Sequence, residues 1–285
     1  MPFERPSRRA LLAGVLALGA CGSRSRAPRS PMSIAQAVDG QWRSTADRAR
    51  DFWRHPRESL QFWGLHPKST VVEFWPGAGW YTEILAPYLA ASGGRLYAAD
   101  LQTGDPAAPV SGQVVRAYHR KLRQNPDLYG DVVITEFGAT SGPVAPPGSA
   151  DLVLFLRNLH NWMAAGIAEK AFHDAFEALK PGGVLGMEEH RATPGGVPDV
   201  LASDGYVLQS LAEQMGQEVG FLFEASSEIN ANPLDTRDHP FGVWTLPPER
   251  RSSPRGQPPD PTFDHGRFDL IGESDRMTLR FRKPG

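Results

Sequence analysis

The sequence predicts an α/β fold: a mainly parallel seven-stranded sheet with helices on both faces. Three observations predict it. From Val71 to Ala90 a strand, a glycine turn and a helix follow one another, and a further short strand then delivers an acidic residue, Asp100. Beyond it, short apolar runs alternate with helical stretches, the pattern of crossovers between parallel strands. Leu179-Lys180-Pro181-Gly182-Gly183 marks a tight helix-to-strand reversal, with proline ending the helix and glycine supplying positive φ.

The first 21 residues stand apart from this fold. Arg5, Arg8 and Arg9 precede a weakly apolar run from Ala10 to Ala20, too short to span a bilayer and flanked as a secretory signal is. Ser7-Arg8-Arg9-Ala10-Leu11-Leu12 resembles a twin-arginine export signal, and Leu18-Gly19-Ala20-Cys21 resembles a bacterial lipobox. That resemblance implies acylation of Cys21 and a lipid anchor that holds a periplasm-facing protein in the cell envelope. Ser23, where an Asp would retain the protein, points to the outer membrane. A simple cleaved signal with an incidental cysteine is the plain alternative, and a misassigned start would leave the protein in the cytoplasm. Cys21 is the only cysteine, which excludes a disulfide framework and a cysteine-based metal site. Residues 22–32 are basic and poor in apolar residues, as a flexible tether is. The formal net charge of −2 divides into +5 over residues 1–32 and −7 over the rest. A domain of that sign is a poor partner for nucleic acid, and no obligate protein partner is evident.

Residues 33–285 read as one domain. Ser33 to Trp63 has helical spacing of its apolar residues, interrupted at His55-Pro56, and forms a helical cover over the cleft. Its Arg48, Arg50, Asp51 and Arg54 are either a solvated face or a lid over an anionic substrate. Strands are expected at Val71–Phe74, Arg95–Ala99, Val132–Glu136, Asp151–Phe155, Val184–Met187, Phe221–Ser226 and Met277–Arg282. Helices are expected at Trp80–Ala90, Ile167–Leu179 and Ser203–Gly216, with Tyr118–Gln124 helical or irregular. Residues 230–275 break the alternation and read as an irregular insertion or lid, ordered from Asn230 to Leu246 and mobile from Pro247 to Pro261.

The glycine turn carries the main functional signal. Its glycines let the backbone approach a ligand, a helix N-terminus lies beneath, and Asp100 arrives where a carboxylate accepts ribose hydroxyls. An ordinary ligand-free βα turn is the alternative. The spacing Glu73-x-Trp75-x-Gly77-x-Gly79 resembles the acidic, three-glycine motif of class I S-adenosylmethionine (SAM) dependent methyltransferases, with Trp75 in place of the first glycine. Together with Asp100, the apolar strand at Asp151–Phe155, the LKPGG turn and the final strand, the resemblance covers most of residues 60–285. More narrowly, PGAGWYT, NLHNW and NPLDTRDHP resemble motifs of a bacterial family of predicted exported methyltransferases. The resemblance implies a Rossmann-like class I methyltransferase fold, SAM as cofactor and a small-molecule substrate. Glu73, Trp75, Gly77, Gly79, Asp100, Phe137, Gly138 and Asn158 are the cofactor-binding candidates, with Phe137-Gly138 flanking the adenine. Trp75 precedes a proline, which predicts an extended backbone there; its indole either packs in the core or lies beside the sulfonium. After the fourth strand the chain has Arg157-Asn158-Leu159-His160-Asn161-Trp162 and lacks the D/N-P-P-Y/F motif of amide-nitrogen methyltransferases.

Ligands of open α/β sheets sit at the carboxyl ends of strands, which selects His160 after the fourth strand and Glu188, Glu189 and His190 at the end of the fifth. His160, Glu189, His190 and His239 are the catalytic candidates, His160 first as a base, with a structural histidine as the alternative. Strand alternation puts Glu189 on the face opposite Glu188 and His190. In the insertion, Arg237 and Asp238 are candidate substrate-lid residues, or else part of a structural cluster with Asp235 and His239. No pair of these groups has a helical metal-ligand spacing, so no metal is expected. A ligand-binding or structural envelope lipoprotein that reuses the fold is the rival reading, because SAM is made in the cytoplasm and fold does not fix function.

Overall fold

The computed structural model describes Met1, residues 31–102 and residues 109–285. The expected export signal, the expected lipid anchor at Cys21 and all but the end of the expected tether lie outside the described residues.

The cover is more broken than its spacing predicts. It consists of α1 (Ile34–Val38), α2 (Thr45–Ala49), α3 (Asp51–Arg54) and α4 (Pro56–Phe62). Ser33 and Gln36 close α1 with a reciprocal capping box, and Ser44 starts α2 afresh by accepting from the Asp47 N–H. His55, at φ 37°, ends α3 and presents Pro56 to the first turn of α4. The arginine face is drawn into ion pairs. Arg43 pairs with Asp51 at 2.7 Å, while Arg50 and Arg54 both reach Glu273 at 2.8 Å, which pins the cover to the end of the insertion.

The sheet follows as expected. Its strands are β1 (Thr70–Phe74), β2 (Arg95–Leu101), β3 (Val133–Phe137), β4 (Ala150–Leu156), β5 (Leu179–His190), β6 (Leu222–Ser227) and β8 (Arg276–Arg282), in the order β3-β2-β1-β4-β5-β8-β6. The first five run parallel, and β8 is antiparallel to both β5 and β6. The helices between them are α5 (Thr82–Ser92), α6 (Pro109–Gln124), α7 (Pro126–Tyr129), α8 (Leu159–Ala164), α9 (Ala168–Ala178) and α10 (Gln209–Val219). A short β7 (Pro240–Val243) and α11 (Gly266–Ile271) belong to the insertion. Alternate residues of β1 and β4 feed two buried clusters, one on each face. Val72, Phe74, Val153 and Phe155 pack with Phe172 of α9, while Val71, Leu152 and Leu154 pack with Ile84 and Leu85 of α5. Burial on both faces is why β4 reads as an unbroken apolar run. Strand order reverses between β1 and β4, so the crevice for a ligand opens where those two strands end.

Three boundaries differ from expectation. The helix α9 ends at Ala178, and Leu179 is already extended, so the LKPGG turn lies inside an irregular start of β5 rather than before it. The helix α10 begins at Gln209 instead of Ser203, because Asp199 draws the N–H groups of Leu201 and Ser203 into a turn. The stretch from Pro247 to Pro261 is tied back rather than loose. Arg251 donates to the Trp244 carbonyl, Asp260 N–H donates to the buried Ser252 hydroxyl, and Arg250 pairs with Asp269 of α11.

Candidate active site

At the end of β1 the chain turns through Trp75, Gly77 and Gly79, all at positive φ (43°, 59° and 88°). The extended backbone expected at Trp75 is therefore wrong: it adopts the left-handed conformation that glycine favours. Side-chain anchorage offsets that strain. Trp75 N–H donates to the Ala99 carbonyl at 2.8 Å, its indole Nε1 donates to the Phe137 carbonyl at 2.9 Å, and its ring packs on Phe137 and Trp162. Arg157, at the end of β4, is also left-handed at φ 57°. Asn158 links the two strand ends by donating to the Trp75 carbonyl, and Arg157 N–H donates to the Glu188 carbonyl of β5. Strained residues thus close two neighbouring strands at the switch point.

Two buried carboxyls lie beneath the turn. Glu73 accepts from the Thr82 hydroxyl at 2.6 Å and is pushed up to about 7, mainly by burial and in part by Asp100. Asp100 accepts from the Leu101 N–H and contacts His119 Nε2 of α6 at 2.9 Å; burial raises it against the pull of both partners. Tyr118 of the same helix covers Gly79, where a Cβ would meet its ring at 2.9 Å. The would-be Cβ of Gly77 meets nothing within 4 Å, which leaves room above the turn.

A second group gathers at the ends of β4 and β5. His160 Nδ1 stands 2.8 Å from Glu189 Oε1, and His190 Nδ1 stands 2.6 Å from the Ser274 hydroxyl. The rings of His160 and His190 are 5.2 Å apart, with Trp244 against the first and Tyr206 against the second. Burial, then the charges of His160, Arg276 and Arg157, hold His190 well below the usual histidine range, so it is neutral. Strand alternation fails at this point. His190 is the last residue of β5, and its ring comes to Glu189 while Glu188 turns to Tyr81, Arg157 and Arg276.

Among solved structures, a SAM-dependent methyltransferase from Aquifex aeolicus is similar over 70% of this chain and 94% of its own, at 16% identity and a TM-score of 0.51. A putative sarcosine dimethylglycine methyltransferase from Galdieria sulphuraria aligns over 87% of this chain and 89% of its own, at 12% identity and a TM-score of 0.52. The fold is that of the class I methyltransferases. The [4+2]-cyclase SpnF is also similar, over 87% of this chain and 85% of its own, at 16% identity and a TM-score of 0.55, so this fold does not by itself fix the chemistry. No model of a known family matches the chain, and no curated protein matches it.

Within the class I methyltransferase fold the structure distributes the sequence candidates unevenly. Glu73, Trp75, Gly77, Gly79, Asp100 and Asn158 converge on the ends of β1, β2 and β4, and His160, Glu189 and His190 converge beside them. Phe137 does not flank open space. Its ring is wholly buried among Phe74, Trp75 and Trp162, and Gly138 beside it is a turn closed by Ser141 and covered by Gln102. The groups of the insertion cluster are bound to one another and to the neighbouring strand ends. His239 and the Tyr206 hydroxyl both meet Asp235, Arg237 donates to the Arg191 carbonyl and pairs with Asp275, and Asp238 is held by Thr236. Among the described residues, His239 therefore joins the site only indirectly, through Asp235 and Tyr206. The sequence reading missed Tyr81 and Arg157, although Tyr81 stands inside the PGAGWYT motif and Arg157 directly precedes NLHNW. It also missed His119, Tyr206 and Ser274, which carry no local signal.

Proposed function

We propose that the protein is a SAM-dependent methyltransferase for a small-molecule acceptor. The observation that carries the reading is the glycine turn of Gly77 and Gly79 set beside the buried Asp100 carboxylate, at the switch point of a class I methyltransferase sheet. The residues fit the cofactor. Gly77 leaves open space above the turn, and Asp100 already accepts N–H donors where ribose hydroxyls would donate. Glu73 and Asp100 are two buried acids whose joint ionisation a cationic sulfonium would offset. When bound, SAM supplies a methyl group on a good leaving group, so the protein mainly positions the acceptor and excludes water. Trp75 and Asn158 hold the turn in shape, and the cover seals it. Trp80 donates to the Asp47 carbonyl and lies between the guanidinium groups of Arg43 and Arg54, and Tyr81 donates to Glu188. A protonated acceptor would lose its proton beside His160, Glu189 and His190.

One observation favours the rival reading of a ligand-binding or structural protein that keeps only the fold. Tyr118 and His119 already occupy Gly79 and Asp100. Binding of SAM and S-adenosylhomocysteine separates the two, since only the transferase reading needs both. The likeness of the motifs to exported methyltransferases, and the lipobox at Cys21, support a lipid-anchored envelope protein facing the periplasm. Radiolabelled lipid incorporation that Cys21→Ala abolishes tests the anchor, and cell fractionation tests the location.

A further inference from the structure

One donor atom from each of His160, Glu189 and His190 lies within 4.8 Å of the other two. The carboxylate is wholly buried, and among the described residues it has no lysine or arginine partner, unlike its neighbour Glu188 with Arg157 and Arg276. The Glu189 carboxylate accepts from the N–H groups of His160 and His190 and contacts the His160 ring, and a bound cation would offset the remaining cost of burying its charge. His160 Nδ1 and Glu189 Oε1 stand 2.8 Å apart, near the spacing of two ligands on one ion, so an ion can take the place of the proton they share; His190 Nδ1 is held by Ser274, which leaves its Nε2 as the third donor. A partner such as Ser274 orients the ring of a metal-binding histidine. Around an ion of the zinc type the donors stand roughly 3–3.5 Å apart, so closure by no more than about 1–2 Å brings the three together.

We propose that His160, Glu189 and His190 bind one divalent first-row transition-metal ion. Two imidazoles and a carboxylate suit such ions and leave at least one position for an oxygen ligand. At the ends of β4 and β5 an ion held there would lower the pKa of a hydroxyl coordinated at that position. Metal binding does not depend on the cofactor proposed above, so the two readings fail separately.

The test is titration of the metal-free protein, without a histidine tag, with Co²⁺ followed by visible absorption and with Zn²⁺ followed by calorimetry. The expected result is one ion per chain, the intense bands of a nitrogen-ligated cobalt with fewer than six ligands, and displacement of cobalt by zinc. His160→Ala and His190→Ala each weaken Zn²⁺ binding at least about tenfold, whereas His173→Ala, exposed on α9, leaves it unchanged. Glu189→Gln, which keeps the side-chain shape, gives the same loss should the alanine variants fail to fold. The proposal is overturned by a folded protein without one-to-one binding, by the weak spectrum of a six-oxygen cobalt, or by binding that survives in the His160→Ala/His190→Ala double variant. Absence of binding together with loss of transfer in His160→Ala would instead make His160 a base oriented by Glu189.

Discussion

His119 Nε2 lies 2.9 Å from Asp100 Oδ2, so an imidazole from α6 already holds part of the carboxylate assigned to the ribose. If the ribose and His119 compete for that oxygen, His119→Ala tightens SAM binding or leaves it unchanged. Asp100→Asn weakens it by about a factor of ten or more, roughly 1.4 kcal/mol. Opposite signs for the two partners of one contact, measured by calorimetry, are the mark of competition. Equal losses would make the pair structural.

Glu73 gives the protein a pH dependence of definite sign. Its folded pKa of about 7 exceeds the ordinary 4.5 because burial disfavours the charge. The stabilisation from the protonated carboxyl is complete below pH 4.5 and is lost as pH rises through 7. The loss amounts to about 3 kcal/mol at one pKa unit per ~1.4 kcal/mol. Glu73→Gln flattens that slope in urea denaturation between pH 5 and 8. The cationic SAM also gains affinity relative to neutral S-adenosylhomocysteine over the same rise in pH.

Trp75→Gly restores the residue that the left-handed backbone prefers, yet it is expected to destabilise the protein. Strain relief contributes about 1–3 kcal/mol. Loss of the indole, with its bond to the Phe137 carbonyl and its packing on Trp162, costs about 3–5 kcal/mol. A net loss near 2 kcal/mol in chemical denaturation is the outcome expected; a gain would mean that the indole contributes little.

Glu273 gathers Arg50, Arg54 and Arg276, two of which are nearly fully buried. Glu273→Ala leaves those guanidinium groups short of a counter-charge and costs about 3–5 kcal/mol. Because this acid joins the cover to the insertion, limited proteolysis of the variant should begin within residues 31–63. Cleavage that begins elsewhere would place the weak point outside the cover.

The sheet was legible because its strands are short, apolar and separated by helices, and because the order of a parallel sheet leaves few alternatives. Asp100, the glycine turn and the ends of β4 and β5 were legible for the same reason: a strand's carboxyl end is fixed once the strand is found. The backbone of Trp75 was not. The local preference before a proline is overridden by three tertiary contacts that no window of sequence contains. Glu189 and His190 were assigned to opposite faces by strict alternation, which fails at the last residue of a strand, where the chain is free to turn. His119, Ser274 and Tyr206 reach the site from α6, the insertion and the turn before α10 with no motif to announce them. The insertion cluster of Arg237, Asp238 and His239 admitted both a lid and a structural reading because it is dense in polar groups. In the structure that density holds the loop to Arg191 and Asp275.

Calorimetric titration of the protein with SAM and S-adenosylhomocysteine, with Asp100→Ala alongside and mass spectrometry for carried-over ligand, tests the central claim most directly. Micromolar binding of both ligands that Asp100→Ala weakens at least about tenfold is the result predicted. A folded, ligand-free protein that binds neither would contradict the transferase reading and leave a protein that keeps only the fold.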